Sequence, residues 1–341
     1  MAEPTDADLV YLGRDPLNAE TRLERQRGPI TPAGQHYIRD HFSIPQGPSE
    51  LVVDGAVNTP LRLTLSALRA MPARSLVVTL ECAGNGRAFL QPPAPGEQWR
   101  LGAVSTAEWT GVALRDVLAA ASPRAHALEV LFAGADRGTP KDLGREISYE
   151  RSLPLADAMR DDVLLAYAMN AEPLPPEHGA PLRLVVPGWY GMASVKWLAR
   201  ISVIEQAFGG FYQKDRYVVD GRPLRNIAPR AVITEPAEGA RVPRQPIVVR
   251  GLAWSGHAPI ESVAVSSDGG YSWHPAAIAP PVSRYAWSEW TITIEPGVQE
   301  TIAILAYAVD DDGETQPIQQ NSNPLGYMNN AAQPVTIRVA R

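Results

Sequence analysis

Ser75-Leu76-Val77-Val78-Thr79-Leu80-Glu81-Cys82, followed by Ala83-Gly84-Asn85-Gly86-Arg87, sets the reading of the whole chain. Up to Cys82 the run alternates with period two, Leu76, Val78, Leu80 and Cys82 on one side and Val77, Thr79 and Glu81 on the other. A strand is expected, its thiol facing the way its apolar neighbours face. Two glycines and an asparagine follow at once, the composition of a loop that takes unusual turns close to a ligand. A free cysteine is more often an inert core residue. This one stands at an inward-facing strand end, just before such a loop.

Outward from that strand, short elements alternate irregularly. Thr64 or Ser66 is placed to cap a short helix through Leu65 and Leu68 that stops before Pro72. Leu114, Val117, Leu118 and Ala121 recur at helical spacing within 112–121. Leu182 to Val186 and Val195 to Ile204 read as strands separated by the turn-rich Pro187-Gly188-Trp189-Tyr190-Gly191. Residues 1–48 are polar and rich in Gly, Pro and charge, and read as an arm lying on the domain. After about residue 225 helical periodicity vanishes, and β-rich runs recur at Ile247–Trp254, Ile260–Ser266, Trp287–Ile294, Thr301–Val309 and Val335–Val339. Asp268-Gly269-Gly270 marks a tight hairpin, and Pro223 to Pro229 the linker. The expected class is α+β: a mixed domain over 49–225, then an all-β sandwich of immunoglobulin type over 230–341.

Composition narrows the function. At 45% hydrophobic and 20% charged residues the 341-residue chain is globular. No apolar run reaches the length of a membrane span, and a net charge of −6 without a basic stripe argues against nucleic acid. A single cysteine excludes an intrachain disulfide and every multi-cysteine metal or haem site. The start, Met1-Ala2-Glu3-Pro4-Thr5-Asp6-Ala7, carries neither a secretory signal nor a twin-arginine pair. A cytoplasmic protein is expected; a periplasmic one whose leader had been removed would read the same. Nucleophile-elbow, zinc-protease and P-loop motifs are missing, and Gly84-x-Gly86 lacks the third glycine of a dinucleotide fingerprint. Asp310-Asp311-Asp312-Gly313-Glu314 reads as a solvated turn rather than a calcium loop.

Leu80-Glu81-Cys82-Ala83-Gly84-Asn85-Gly86-Arg87 resembles the L-Q-C-A-G-N-R-R segment of the sulfite oxidase family, with Glu81 for Gln and Gly86 for the first Arg. The resemblance continues in order. Tyr37-Ile38-Arg39-Asp40-His41 is similar to F-V-R-N-H, and Val163 to Asn170 to V-L-L-A-Y-E-M-N. His178 to Gly188 is similar to H-G-F-P-V-R-V-V-V-P-G, and Ser194-Val195-Lys196-Trp197-Leu198 to H-V-K-W-L. Coverage runs from about residue 18 to the carboxyl end.

This resemblance implies a sulfite-oxidase-type molybdopterin domain and a β-sandwich through which a homodimer forms. Cys82 would ligate molybdenum, a metal for which soft sulfur is a suitable donor. Tyr37, Ile38, Arg39, Asp40, His41, Asp136, His178, Arg183, Ser194, Val195 and Lys196 would hold the pterin. His178, Arg183 and Lys196 would meet its phosphate. Arg39, Arg87 and Tyr217 would serve a small oxyanion substrate, with sulfite going to sulfate by oxo transfer. Electrons would pass to an external acceptor, a cytochrome c or oxygen, since no haem is expected in this chain. In the W-N-L-R-G segment, Leu325 stands where the family has a substrate-pocket arginine. That departure keeps a related oxygen-atom transferase open: sulfoxide or nitrate reduction, or oxidation of another sulfur compound. A non-enzymatic β-sandwich binding protein is the remote third reading. Arg216, beside Tyr217, reads as a surface residue.

Overall fold

The computed structural model describes residues 8–320 and 322–340. The first seven residues, which carry most of the leader question, lie outside these.

The alternating run forms the strand Ala73–Glu81, paired antiparallel along its full length with Val104–Ala113. Leu164–Met169 joins on the far side of Val104–Ala113, and itself carries Glu172–Pro173 and Arg183–Val185. A second sheet orders Leu61–Thr64, Glu50–Gly55, Leu198–Ile204, Glu129–Gly138 and Ile147–Pro154, with Leu198–Ile204 parallel to Glu50–Gly55. Its apolar faces share a core with the helix Leu114–Ala121, whose Leu114, Val117, Leu118 and Ala121 are fully buried as their spacing predicts. Thr64 caps the helix Leu65–Arg69 by accepting from the Ala67 N–H at 3.2 Å.

The arm is more ordered than its composition suggests. Leu9–Arg14 and Leu17–Thr21 form a hairpin, and Ile38–Arg39 pairs with its second strand, Ile38 packing on Leu9 and Ala19. Three buried apolar residues suffice to anchor it, too few to show as periodicity.

Beyond Phe211–Lys214 the described residues contain no helix. One sheet orders Arg230–Glu235, Ile247–Trp254, Ser288–Ile294 and Ala277–Ile278; the other orders Arg241–Val242, Val335–Val339, Thr301–Asp310, Ile260–Ser266 and His274–Pro275. Val249, Trp290, Val263, Ile304 and Ile337 from the two sheets close one core. The expected tight hairpin at Asp268 is longer. Its chain runs from Ser266 to His274, and Asp268 accepts the Tyr271 and Ser272 N–H groups, both at 3.0 Å.

Candidate functional site

Several elements deliver side chains to one cavity. Cys82 comes from just past Ala73–Glu81, Tyr37, Arg39, Asp40 and His41 from the arm's short strand Ile38–Arg39 and its flanks, Asp136 from Glu129–Gly138, Tyr149 from Ile147–Pro154, and Tyr217 from just beyond Phe211–Lys214. The irregular segment 176–197 adds His178, Arg183, Ser194 and Lys196. Glycines make room. A Cβ on Gly134 would lie 2.3 Å from Asp136 Oδ1, and one on Gly191 would lie 2.6 Å from the Tyr37 hydroxyl.

One end of the cavity is polar. Lys196 pairs with Asp40 and donates to the Glu177 carbonyl at 2.9 Å. Arg183 donates to the carbonyls of His178 (3.0 Å) and Ser194 (3.1 Å), bracing the segment that holds both. Burial pushes the imidazoles of His36 and His178 down, His36 to about 3, and their rings meet edge to face at 4.9 Å. His36 Nδ1 donates to the Tyr37 carbonyl at 3.0 Å, which leaves Nε2 a bare acceptor. Burial also pushes the Asp136 carboxyl up to about 7, against the pull of Lys196. Four buried atoms of these wall residues have no partner: His36 Nε2, Asp40 Oδ2, Asp136 Oδ1 and His178 Nε2.

The other end is aromatic. His41 stacks on Tyr149 at 4.6 Å, and the Tyr217 hydroxyl lies 2.6 Å from His41 Nε2. Burial drives the Tyr217 phenol well above its ordinary range and the His41 imidazole well below, so both are neutral and the tautomer decides which donates. Arg39 donates to Asn18 Oδ1 at 3.2 Å. Burial pushes the Cys82 thiol up, while the Arg39 cation beside it pulls it back.

Eleven of the expected site residues line this cavity: Tyr37, Arg39, Asp40, His41, Cys82, Asp136, His178, Arg183, Ser194, Lys196 and Tyr217. Three do not. Ile38 packs into the arm and Val195 into the main core. Arg87 lies behind the wall, donating to the carbonyls of Glu97 (2.9 Å) and Leu325 (3.2 Å) beneath the Tyr327 ring. Arg216 pairs with Asp142 away from the cavity. Sequence reading passed over His36, Tyr149, Met192 and Trp197 in the wall. His36 directly precedes the motif Tyr37 to His41, and was the one within reach.

A molybdenum–pterin cofactor fits these residues. Unpartnered acceptors and the Lys196 cation meet a polar heterocycle with a phosphate, and an inward thiol meets a soft metal.

Comparison with known proteins agrees. Residues 41–212 match the oxidoreductase molybdopterin binding domain, and 223–340 the Mo-co oxidoreductase dimerisation domain. Mitochondrial sulfite oxidase of Rattus norvegicus is 34% identical over 95% of this chain and 64% of its own length. Sulfite oxidase of Gallus gallus is 36% identical over 92% of this chain and 74% of its own. Nitrate reductase [NADH] 2 of Phaseolus vulgaris is 34% identical over 95% of this chain and 41% of its own. The chain thus spans about 64% of the rat enzyme. Among solved structures, the sulfane dehydrogenase SoxCD from Paracoccus pantotrophus superposes with a TM-score of 0.84, at 31% identity over 96% of this chain and 87% of that one. Fold and site define a molybdopterin-binding oxidoreductase. The chain belongs to the sulfite oxidase family.

Proposed function

We propose that this chain oxidises sulfite to sulfate and passes the electrons to an external acceptor, a cytochrome c or oxygen. The observation that carries this is the convergence of Cys82, Arg39 and the Tyr217–His41 pair on one cavity whose other end has unpartnered polar atoms. Cys82 would hold the metal, and Tyr37, Asp40, Asp136, His178 and Lys196 the pterin, with Arg183 and Ser194 fixing the segment between them. When bound, the cofactor supplies two-electron redox chemistry and oxygen-atom transfer. The protein's own share is placement and charge. Arg39 offsets the oxyanion's charge as water is excluded. Tyr217, hydrogen-bonded to a neutral His41, orients the substrate and relays a proton at its hydroxyl. Arg87 sets the loop after Cys82 from behind the wall. The arm (1–48) and 49–225 form the catalytic unit, and 230–341 an immunoglobulin-like unit through which a homodimer forms.

A second reading is oxidation of another reduced sulfur compound, favoured by Leu325 at the family's arginine position and by the likeness to a sulfane dehydrogenase. Steady-state assays with sulfite, thiosulfate and a persulfide as donors, and with nitrate and a sulfoxide as acceptors, separate the readings. Sulfite should give the highest kcat/KM. Preference for a persulfide would establish the second reading, and turnover with nitrate alone would defeat both.

A further inference from the structure

Arg151 is a buried cation that neither the resemblance nor the cavity wall uses. It lies on Ile147–Pro154 two residues after Tyr149, so the two side chains leave the same face of the strand. Only 1% of it is exposed. One terminal nitrogen donates to the Tyr212 carbonyl; Nε and Nη2 have no partner, and no ion pair among the described residues includes it. The guanidinium lies over the ring of Tyr217, 6.0 Å from its centroid. Tyr327 stacks on Tyr217 at 5.1 Å, and Arg87 lies over Tyr327 at 5.2 Å. Arg87, Tyr327, Tyr217 and Arg151 thus form one linked series with a guanidinium at each end, and the Tyr217 hydroxyl carries it to His41 on the cavity wall.

A buried guanidinium without a counter-charge is costly, and an apolar side chain of similar volume is usually the more stable choice. The partnerless nitrogens sit beside a tyrosine of the substrate end, where Leu325 brings no charge. An arriving oxyanion is the counter-charge that makes such a cation favourable.

We propose that Arg151 is a positioning residue for oxyanion binding, lending positive charge to the substrate end across the Tyr217 ring. This rests on the oxyanion-handling reading above. The choice of an arginine where an apolar residue would be more stable is a stability cost accepted for affinity.

The test uses molybdenum- and pterin-matched holoprotein: wild type, Arg151→Met and Arg151→Lys. Sulfate, an inert tetrahedral oxyanion, is titrated by calorimetry; thermal unfolding and the sulfite KM and kcat are measured alongside. Arg151→Met should be at least as thermostable as wild type yet bind sulfate about tenfold more weakly or worse. The sulfite KM should rise in parallel, with kcat within about threefold. Arg151→Lys should recover most of the affinity. Sulfate binding by Arg151→Met as tight as by wild type overturns the proposal. So does joint loss of stability and affinity that lysine does not repair, which would make Arg151 a structural brace. Wild-type holoprotein that binds no sulfate overturns it too. If it also turns over no sulfite, the functional reading falls with it; unchanged binding in an active enzyme sinks this proposal alone.

Discussion

The two ends of the cavity are built on opposite principles. At the end proposed to hold the pterin, His36, Asp40, Asp136 and His178 each keep a buried polar atom without a partner. At the substrate end, the rings of His41, Tyr149, Tyr212, Tyr217 and Tyr327 pack on one another, some stacked and some tilted or edge-on, and His41 and Tyr217 of the wall satisfy each other. A buried polar atom left bare costs about 1–3 kcal/mol. The wall of the first end is therefore incomplete without a ligand, whereas the wall of the second is finished before any substrate arrives, its one unsatisfied cation, Arg151, lying behind Tyr217. Cofactor retention should depend on the first and turnover on the second.

The largest effect expected from this division belongs to Cys82→Ser. Turnover should fall by at least about a thousandfold, because the soft ligand proposed for the metal would be gone. Pterin content, measured by fluorescence of its oxidised derivative, should stay within about twofold of wild type. Loss of pterin together with activity would show that the thiol anchors the cofactor and would break the division.

Lys196→Met attacks the other end. Asp40, whose side chain is fully buried, would lose its cation. Removing one partner of a buried pair costs roughly 3–5 kcal/mol. Chemical denaturation should show that loss even in cofactor-free protein, and pterin content should collapse. An unchanged midpoint would mean that water already shares the pair.

Asp136 gives the pH signature of an end awaiting its ligand. Its carboxyl is pushed up to about 7 by burial. Between about pH 4 and 7 the folded chain holds a proton that the unfolded chain has released, so stability falls as pH rises through that window. The full effect is on the order of 4 kcal/mol. The buried histidines act in the opposite sense: His36, pushed down to about 3, with His41 and His178, withdraws stability as pH falls. The difference between Asp136→Asn and wild type isolates the carboxyl. In cofactor-free protein the variant should match wild type near pH 4 and exceed it at pH 8. With cofactor bound the gap should close, because a ligand N–H on the carboxylate stabilises its charged form. A flat difference across the range would refute the assignment.

How much of this was legible depended on what each residue's partner is. The inward face of the key strand was readable from period two: Leu76, Val78, Leu80 and Cys82 do share a cluster. Its other face was not. Thr79 and Glu81 look like a solvated side, yet both are buried, Thr79 under the chain at Tyr285 and Glu81 in a pair with Arg230 Nε at 2.9 Å that also accepts from Trp254 Nε1 at 2.8 Å. Those partners lie some 150 or more residues away, beyond any local pattern. The partners of Arg87 and Arg151 were equally out of reach of a local pattern. One matched a motif and faces backbone; the other matched nothing and lies against Tyr217. Chain order pointed to eleven residues that share one cavity, but only packing discloses what a charge is set against.

Tyr217→Phe should have the smallest effect on the fold and is the sharpest probe of the finished end. The ring, with its stack on Tyr327, stays, and only the hydroxyl beside His41 Nε2 is lost. A net hydrogen bond between neutral groups contributes about 1 kcal/mol, so unfolding should shift by no more than that. Turnover is another matter. Without the hydroxyl the neutral imidazole of His41 has no path to the substrate, and a proton relay of this kind typically contributes about 10²–10⁴ in rate. kcat should drop by at least about tenfold with the sulfite KM little changed, since Arg39 still offsets the oxyanion's charge. A rise in KM with kcat intact would instead make Tyr217 a binding group. The aromatic end would then be a second ligand site waiting to be filled, and the contrast between the two ends would fail.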